Sequence, residues 1–439
     1  MLEQKYISGT GAVNIARSVE QSVAAGRLRP GDLLPSVRLL SGQLQVSSAT
    51  VAAAYRLLRD RGVVVADRRR GTRIRPAAPL ATPPPFPLPR GVRDLASGNP
   101  DPALLPDLAA ALRATRAGQR LYGGSLNDPD LVALARRQFA ADKIPSRAVA
   151  VVSGALDGIE RVLREHLHPG DRVVVEDPCF TGIADLLAAL ALVPIPVAVD
   201  DEGLVSSRLA AALRRNPAAV IVTPRAQNPT GAAFSPGRAR ELRAVLRGKE
   251  VLLIEDDHAG AIAGAPYRTL VTPATAKWAV VRSVSKSLGP DLRLALMAGD
   301  PSTISRVEGR QNLGIRWVSH ILQRVVLRLL RDTRTRRRLA RASRVYAHRR
   351  RAAIEALAAE GIEAHGSSGL NIWIPVADEG RAITGLQRRG WAVNAGERYR
   401  LETPAAIRVT ITTLDDRDAV RFAADLAAIV EPSMRASVA

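Results

Sequence analysis

The sequence predicts an α/β protein headed by a small winged helix-turn-helix unit, and three observations carry that expectation. Residues 14–75 read as three short helices followed by two short strands, residues 76–92 hold seven prolines, and beyond them apolar strands alternate with amphipathic helices. The alternation implies a large, mainly parallel sheet, and the proline density implies a semi-extended linker. The expected domains are 1–75, a linker at 76–93, and 94–435.

The first helix is expected from Asn14 to Ala25, because Ile15, Ala16, Val19 and Val23 fall on one face. Gly26 and the turn Arg29-Pro30-Gly31 stop it, and Ser36 caps a short helix running through Leu44. Ser47 caps a third helix, Ser48–Arg61, whose Val51, Ala54, Tyr55 and Leu58 should bury against the first two. Gly62 closes it. Strands Val63–Ala66 and Thr72–Arg75 then flank Asp67-Arg68-Arg69-Arg70-Gly71, placing three arginines at a hairpin tip. In the larger domain, strands are expected at Arg172–Glu176, Ala219–Thr223 and Val251–Glu255, with helices at Thr181–Leu192 and Arg238–Leu246.

Composition narrows the possibilities. With 439 residues, 46% hydrophobic and 24% charged, the chain can bury a large core and is neither collagen-like nor disordered. A single cysteine, Cys179, forms no intrachain disulfide and no zinc cluster, which suits a reducing compartment. The N-terminus lacks a secretory pattern, and the longest apolar run, Leu186–Val199, is broken by Pro194 and Pro196 and is too short to span a membrane. A cytoplasmic protein without a membrane partner is expected. His166 and His168, two apart, do not supply a metal geometry, so no metal is expected.

The net charge is +21, and its excess is concentrated. Residues 1–75 hold 13 basic and 5 acidic side chains, and residues 324–351 hold 12 Arg against one acid, Asp332. Two basic patches point to a polyanion, above all nucleic acid. Solvated helix faces in an arginine-rich chain are the other explanation, since only five of the 63 basic residues are Lys.

The segment Arg282-Ser283-Val284-Ser285-Lys286-Ser287-Leu288-Gly289-Pro290-Asp291-Leu292-Arg293 follows the apolar strand Trp278–Val281. An amine beside small hydroxyls and a guanidinium suits an aldehyde cofactor carrying a phosphate: Lys286 would take the aldehyde, while Ser283, Ser285 and Arg293 bind the dianion. Gly154, Ala155 and Leu156 lead from a strand into a helix, whose N-terminus is a natural phosphate seat. Phe180 offers a ring for stacking, or a core side chain, and Asn228 offers a donor to a ring hydroxyl. Asp256, in Ile254-Glu255-Asp256-Asp257-His258, offers a carboxylate to a pyridine nitrogen. Arg408 on a late strand suits an α-carboxylate.

The run GRLRPGDLLPSVRLLSGQLQVSSATVAAAYRLLRDRGVVVADRRRGT resembles the GntR winged helix, and the ordered motifs of residues 94–430 resemble the fold type I aminotransferases. Their combination resembles the MocR family of transcription regulators, and TPRAQNPTG, EDDHAG, SVSKSLGPDLR and GLNIWIPV look like its PtsJ-type branch, associated with vitamin B6 salvage. The resemblance implies a fold type I domain with a small C-terminal α/β subdomain, pyridoxal 5'-phosphate (PLP) as cofactor, and a domain-swapped homodimer. Duplex operator DNA would be a partner, and PLP or an amino acid the effector. It implies DNA contacts at Arg38, Ser47, Ser48, Thr50, Tyr55, Arg56, Arg68, Arg69, Arg70 and Gly71. Gln45 stands at a turn position usually held by Gly, and Ser48 where Arg is common. It also implies that His258 tunes the ring hydroxyl and that Tyr122 reaches the partner subunit's phosphate. A working aminotransferase carrying a DNA-binding appendage is the rival reading, and a structural module that has lost its cofactor is a third.

Overall fold

The structure is a computed structural model and describes residues 6–24, 27–29, 31–60, 63–67, 71–74, 88, 91–116, 118 and 120–430. In the N-terminal unit, α1 (Ala12–Ala24), α2 (Val37–Leu44) and α3 (Ser48–Asp60) precede an antiparallel pair, β1 (Val64–Asp67) and β2 (Gly71–Ile74), with Val64 opposite Ile74. Ser36 caps α2 by accepting from Leu39 N, and Ser47 Oγ accepts from Thr50 N at 3.1 Å. Ile15, Ala16, Val19, Leu40, Val51, Ala54, Tyr55 and Leu58 are buried together, as the helical spacing predicts. Each fully buried Ile or Leu among them contributes roughly 1.5–3 kcal/mol. Gln45 ends α2 in the left-handed region at φ 51°, which explains why glycine suits that position.

The larger domain begins with β3 (Arg93–Asp94), α4 (Leu108–Arg113) and α5 (Pro129–Ala141), then β4 (Ala148–Val152), α6 (Ala155–His166), β5 (Arg172–Asp177) and α7 (Thr181–Ala189). It continues with β6 (Val193–Asp200), β7 (Gly203–Leu204), α8 (Ser206–Leu213), β8 (Ala219–Val222), α9 (Pro236–Leu246), β9 (Leu252–Asp257) and β10 (Trp278–Ser283). Next come α10 (Ser285–Leu288), β11 (Ala295–Gly299), α11 (Pro301–Leu313), α12 (His320–Arg331) and α13 (Thr333–Ala359). The chain closes with β12 (Asn371–Pro375), α14 (Glu379–Arg388), β13 (Trp391–Ala392), β14 (Asn394–Ala395), β15 (Ala406–Thr410) and α15 (Asp416–Val430).

Eight strands form one sheet in the order β4-β11-β10-β9-β8-β5-β6-β7. β8, β9 and β10 run parallel, whereas β11 runs antiparallel to both of its neighbours. The expected mainly parallel sheet is thus mixed. Every residue of β9 and β10 is buried, and their first halves, Leu252–Ile254 and Trp278–Val281, read as apolar runs for that reason. A smaller sheet, β12-β15-β14, forms the C-terminal subdomain. The proline and serine or aspartate signals in the sequence start helices: Ser235 with Pro236 caps α9, and Asp300 with Pro301 caps α11. No helix among the described residues is long and apolar enough to cross a membrane.

Candidate functional site

The parallel strands β8, β9 and β10 end at one edge of the sheet, and the chemistry-bearing residues stand on the loops that follow them. Lys286 lies one turn past β10, half-buried, with its Nζ donating to the carbonyl of Gly98 at 2.6 Å. Burial, and then the positive charge of Arg408, bring its amine down to about 8. An ordinary lysine holds its proton far more tightly, so a larger share of Lys286 is free amine at neutral pH.

β9 ends in three consecutive carboxylates that the alternation of a strand sorts into different environments. Glu255 accepts from Tyr267 at 2.5 Å, from Thr269 at 2.9 Å and from Leu270 N. Asp257 is gripped by Arg225, through two bonds of 2.9 Å, and by Arg282 at 2.5 Å. Burial alone would raise Asp257, but Arg282 and Arg225 hold it well below the usual carboxylate range. Asp256 is different. Its Oδ1 is buried with no hydrogen-bond partner among the described residues. Burial, then the charges of Asp257 and Glu176, push it up to about 8. A carboxyl in that state lacks a cation, and a protonated pyridine nitrogen is a cation of the right size. His258 approaches Asp256 at 3.9 Å, but burial and Lys286 bring His258 down to about 4. Neither group is charged at neutral pH, so the contact is not an ion pair.

The N-terminus of α6, where the sequence predicts a phosphate seat, is approached by a cation. Gly154 has φ +108°, and a Cβ there would stand 3.5 Å from the Arg293 guanidinium, which shows how closely that cation approaches the start of the helix. Ser283 Oγ accepts from Ser285 N at 3.1 Å, so the two serines fold back on one another in the adjoining loop. Ala155 opens α6, and a Cβ on Gly182 would meet both Leu156 and Phe180, so Phe180 is half-buried against the same helix end. Asn228 accepts on its side-chain oxygen from Arg408 at 3.3 Å and Asn371 at 3.4 Å, which leaves its amide nitrogen to donate. Arg408 is buried on β15, bonds the carbonyl of Ala96, lies 5.0 Å from the ring of Tyr399, and keeps Nε without a partner among the described residues.

These residues fit a phosphorylated pyridine aldehyde, and the comparisons agree. The family model for aminotransferase class I and II matches residues 90–426, and that for bacterial regulatory proteins of the gntR family matches residues 12–74. The chain is 39% identical over 428 residues to the vitamin B6 salvage pathway transcriptional repressor PtsJ of Salmonella typhimurium, covering 96% of this chain and 98% of that one. It belongs to the MocR-type regulators. It is also 31% identical over 351 residues to the pyridoxine biosynthesis regulator PdxR of Corynebacterium glutamicum, covering 76% of each. Among solved structures, an α-aminoadipate aminotransferase of Thermus thermophilus, complexed with N-(5'-phosphopyridoxyl)-L-leucine, matches with TM-score 0.69 at 20% identity over 80% of this chain and 94% of that one. Such a MocR-type chain regulates transcription, and its gntR-type unit is a DNA-binding one.

In that MocR-type unit Arg38, Ser47, Ser48, Arg56 and Gly71 are exposed and Thr50 is half-buried. Tyr55 sits in the core and its hydroxyl donates to Pro35 O at 2.7 Å, so it holds α3 against the loop before α2. Arg68, Arg69 and Arg70 lie outside the described residues. Tyr122 is 78% exposed and packs edge-on to Trp317 at 5.6 Å, with Arg316 over its ring. Sequence reasoning missed the carbonyls of Ala96 and Gly98, which carry no side-chain signal, and the Arg225–Asp257–Arg282 clamp, which joins residues 25 to 57 apart. The arginine at the head of Arg282-Ser283-Val284-Ser285-Lys286 was the visible hint. His166 bonds Thr303 at 3.0 Å, and no cluster of metal-binding side chains occurs among the described residues.

Proposed function

We propose that this regulator binds PLP in its larger domain, 94–435, and that occupancy alters how its winged helix, 1–75, addresses operator DNA across the linker 76–93. The observation that carries the reading is Asp256, a buried carboxyl with an unpartnered oxygen, on the strand beside the one that delivers Lys286. When bound, the cofactor supplies an aldehyde on an electron-withdrawing pyridine ring. Lys286 offers an amine that sheds its proton near pH 8. Asp256 accepts from the ring nitrogen, Asn228 donates to the ring oxygen, with His258 beside it, and Phe180 covers a ring face. The start of α6 with Ser283, Ser285 and Arg293 holds the phosphate.

The similarity to PtsJ and PdxR supports PLP itself as effector and vitamin B6 salvage genes as targets. Leu121, Tyr122 and Leu313 are 83%, 78% and 82% exposed, and large apolar side chains left so open support a homodimer, with Tyr122 serving the partner's phosphate. A cytoplasmic location fits such a regulator. Effector action requires that PLP bind one DNA-binding arrangement better than the other.

The test has two arms. Borohydride reduction after PLP should fix a pyridoxyl label on Lys286, located by mass spectrometry, and gel shifts on the chain's own upstream DNA should change with PLP. No label leaves only a structural module. A label with steady transamination, and no PLP-dependent shift, moves the reading to an aminotransferase, for which Arg408 stands ready to hold an α-carboxylate.

A further inference from the structure

The second basic patch of the sequence resolves into two populations of arginine. Some are structural: Arg349 bonds Asp101 at 2.9 Å and the carbonyl of Thr412, while Arg350 is buried and bonds Gly369 O and Ser367 O at 3.0 Å. Arg338 donates to Leu105 O at 2.6 Å, and on α12 Arg324 pairs with Asp128 at 3.2 Å. The others point outward. Arg334, Arg337, Arg341, Arg344, His348 and Arg351 are all exposed. Their spacing of three and four residues places them in one line along α13.

That line runs about 25 Å at 1.5 Å per residue, roughly three quarters of a duplex turn. Among the described residues none of its five arginines has an acidic partner within ion-pair distance; only His348 does, 2.9 Å from Asp416. Arg344 and His348 open onto a cleft of about 560 Å3, to which Arg349 and Arg417 add positive charge and Asp415 and Asp416 negative charge. Other surface helices of the same domain interleave signs: α6 carries Asp157, Glu160, Arg161, Arg164 and Glu165, and α15 carries Asp416, Arg417, Asp418 and Arg421. Solubility is served by that mixture, which α13 lacks until Glu355. A straight, unpaired row of guanidinium groups matches the phosphate backbone of a duplex in charge, in length and in the fork geometry that phosphate accepts.

We propose that the outward arginine line of α13 is a sequence-independent contact for duplex DNA, made by the larger domain in addition to the winged helix. It shares with the regulator reading only the presence of duplex.

The test uses the full chain and an unrelated duplex of about 80 base pairs, with affinity measured by fluorescence anisotropy from about 50 to 200 mM salt. The variant Arg337→Ala/Arg341→Ala/Arg344→Ala should lower the slope of log affinity on log salt by about 2.7, so that its loss of affinity over that range is about 40-fold smaller than wild type. Replacing the same three by Lys should keep the slope. An Arg38→Ala/Arg56→Ala variant should lose preference for the chain's own upstream DNA yet retain the share of the slope that the triple variant loses. A triple variant with wild-type slope and unchanged thermal unfolding overturns the proposal and leaves the regulator reading intact. Reduced heparin retention with an unchanged duplex slope also overturns it, assigning the row to another polyanion. A wild-type chain that binds no duplex overturns both.

Discussion

Replacing Asp256 by Asn keeps the side chain's shape and removes its charge, so it separates a cofactor partner from a merely structural acid. In the folded chain Asp256 is raised from 3.8 to about 8. The native state therefore binds a proton that the unfolded state releases. The sign follows: the stability is fully present below about pH 4 and is lost as pH rises toward about 8, at up to about 1.4 kcal/mol per pH unit. At pH 7 the ceiling on that penalty is about 4 kcal/mol, and because Glu176 and Asp257 share the same field, a gain on the order of 2–4 kcal/mol is expected for the Asn variant. Without PLP, Asp256→Asn should unfold a few degrees above wild type at pH 8 and level with it near pH 4. With PLP at about 100 times its Kd, wild type should gain about 2.7 kcal/mol. The variant should bind PLP at least tenfold more weakly, having lost a charge-assisted bond of about 1.5–3 kcal/mol. Differential scanning calorimetry across pH, with and without PLP, measures both. A variant no more stable than wild type at pH 8, or one stabilised by PLP as much as wild type, refutes the reasoning.

PLP capture by Lys286, followed by borohydride trapping, should accelerate as pH rises through about 8 and then level off; a rise continuing toward pH 10 would mark an ordinary exposed lysine. Arg293→Ala removes the cation over Gly154 and should weaken PLP by about ten- to a hundredfold, the worth of a charge-assisted bond to phosphate, while pyridoxal, lacking the phosphate, should bind both proteins alike in equilibrium dialysis. Gln45→Gly relieves a left-handed side chain and should raise stability by about 0.5–1 kcal/mol in chemical denaturation followed by far-ultraviolet circular dichroism. Arg38→Ala should lower the salt slope of DNA binding by about one without moving PLP affinity in equilibrium dialysis.

Much of this architecture was legible because it is local. Helical spacing placed Ile15, Val19, Val51 and Leu58 in one core, and Ser36 and Ser47 announced their helices. Strand ends were misjudged by a residue or two: β9 runs on to Asp257, past the expected Glu255, because its acidic end is buried by partners that no local pattern shows. Choosing Asp256 from three neighbouring carboxylates was possible by motif order, but the reason it is the unpartnered one lies in Tyr267, Arg225 and Arg282, elements distant in sequence. Tyr55 shows the converse. Its place in the helical stripe foretold burial correctly, while family likeness offered DNA a hydroxyl that here bonds Pro35. The antiparallel direction of β11 could not be read at all, since a strand buried on both faces looks the same in either sense.

The Lys286 side chain has a single nitrogen, and in this structure it holds the Gly98 carbonyl. Any occupant that claims that nitrogen takes the hydrogen bond away. Gly98 stands four residues after β3 ends, downstream of the prolines, and nearby Ala96 is fastened separately by Arg408 and Asn394. A ligand bound through that nitrogen would therefore remove one of several side-chain clasps on this short stretch, leaving those of Arg408 and Asn394 on Ala96 and of Thr412 on Asn99, in the peptide that leads back toward the N-terminal unit.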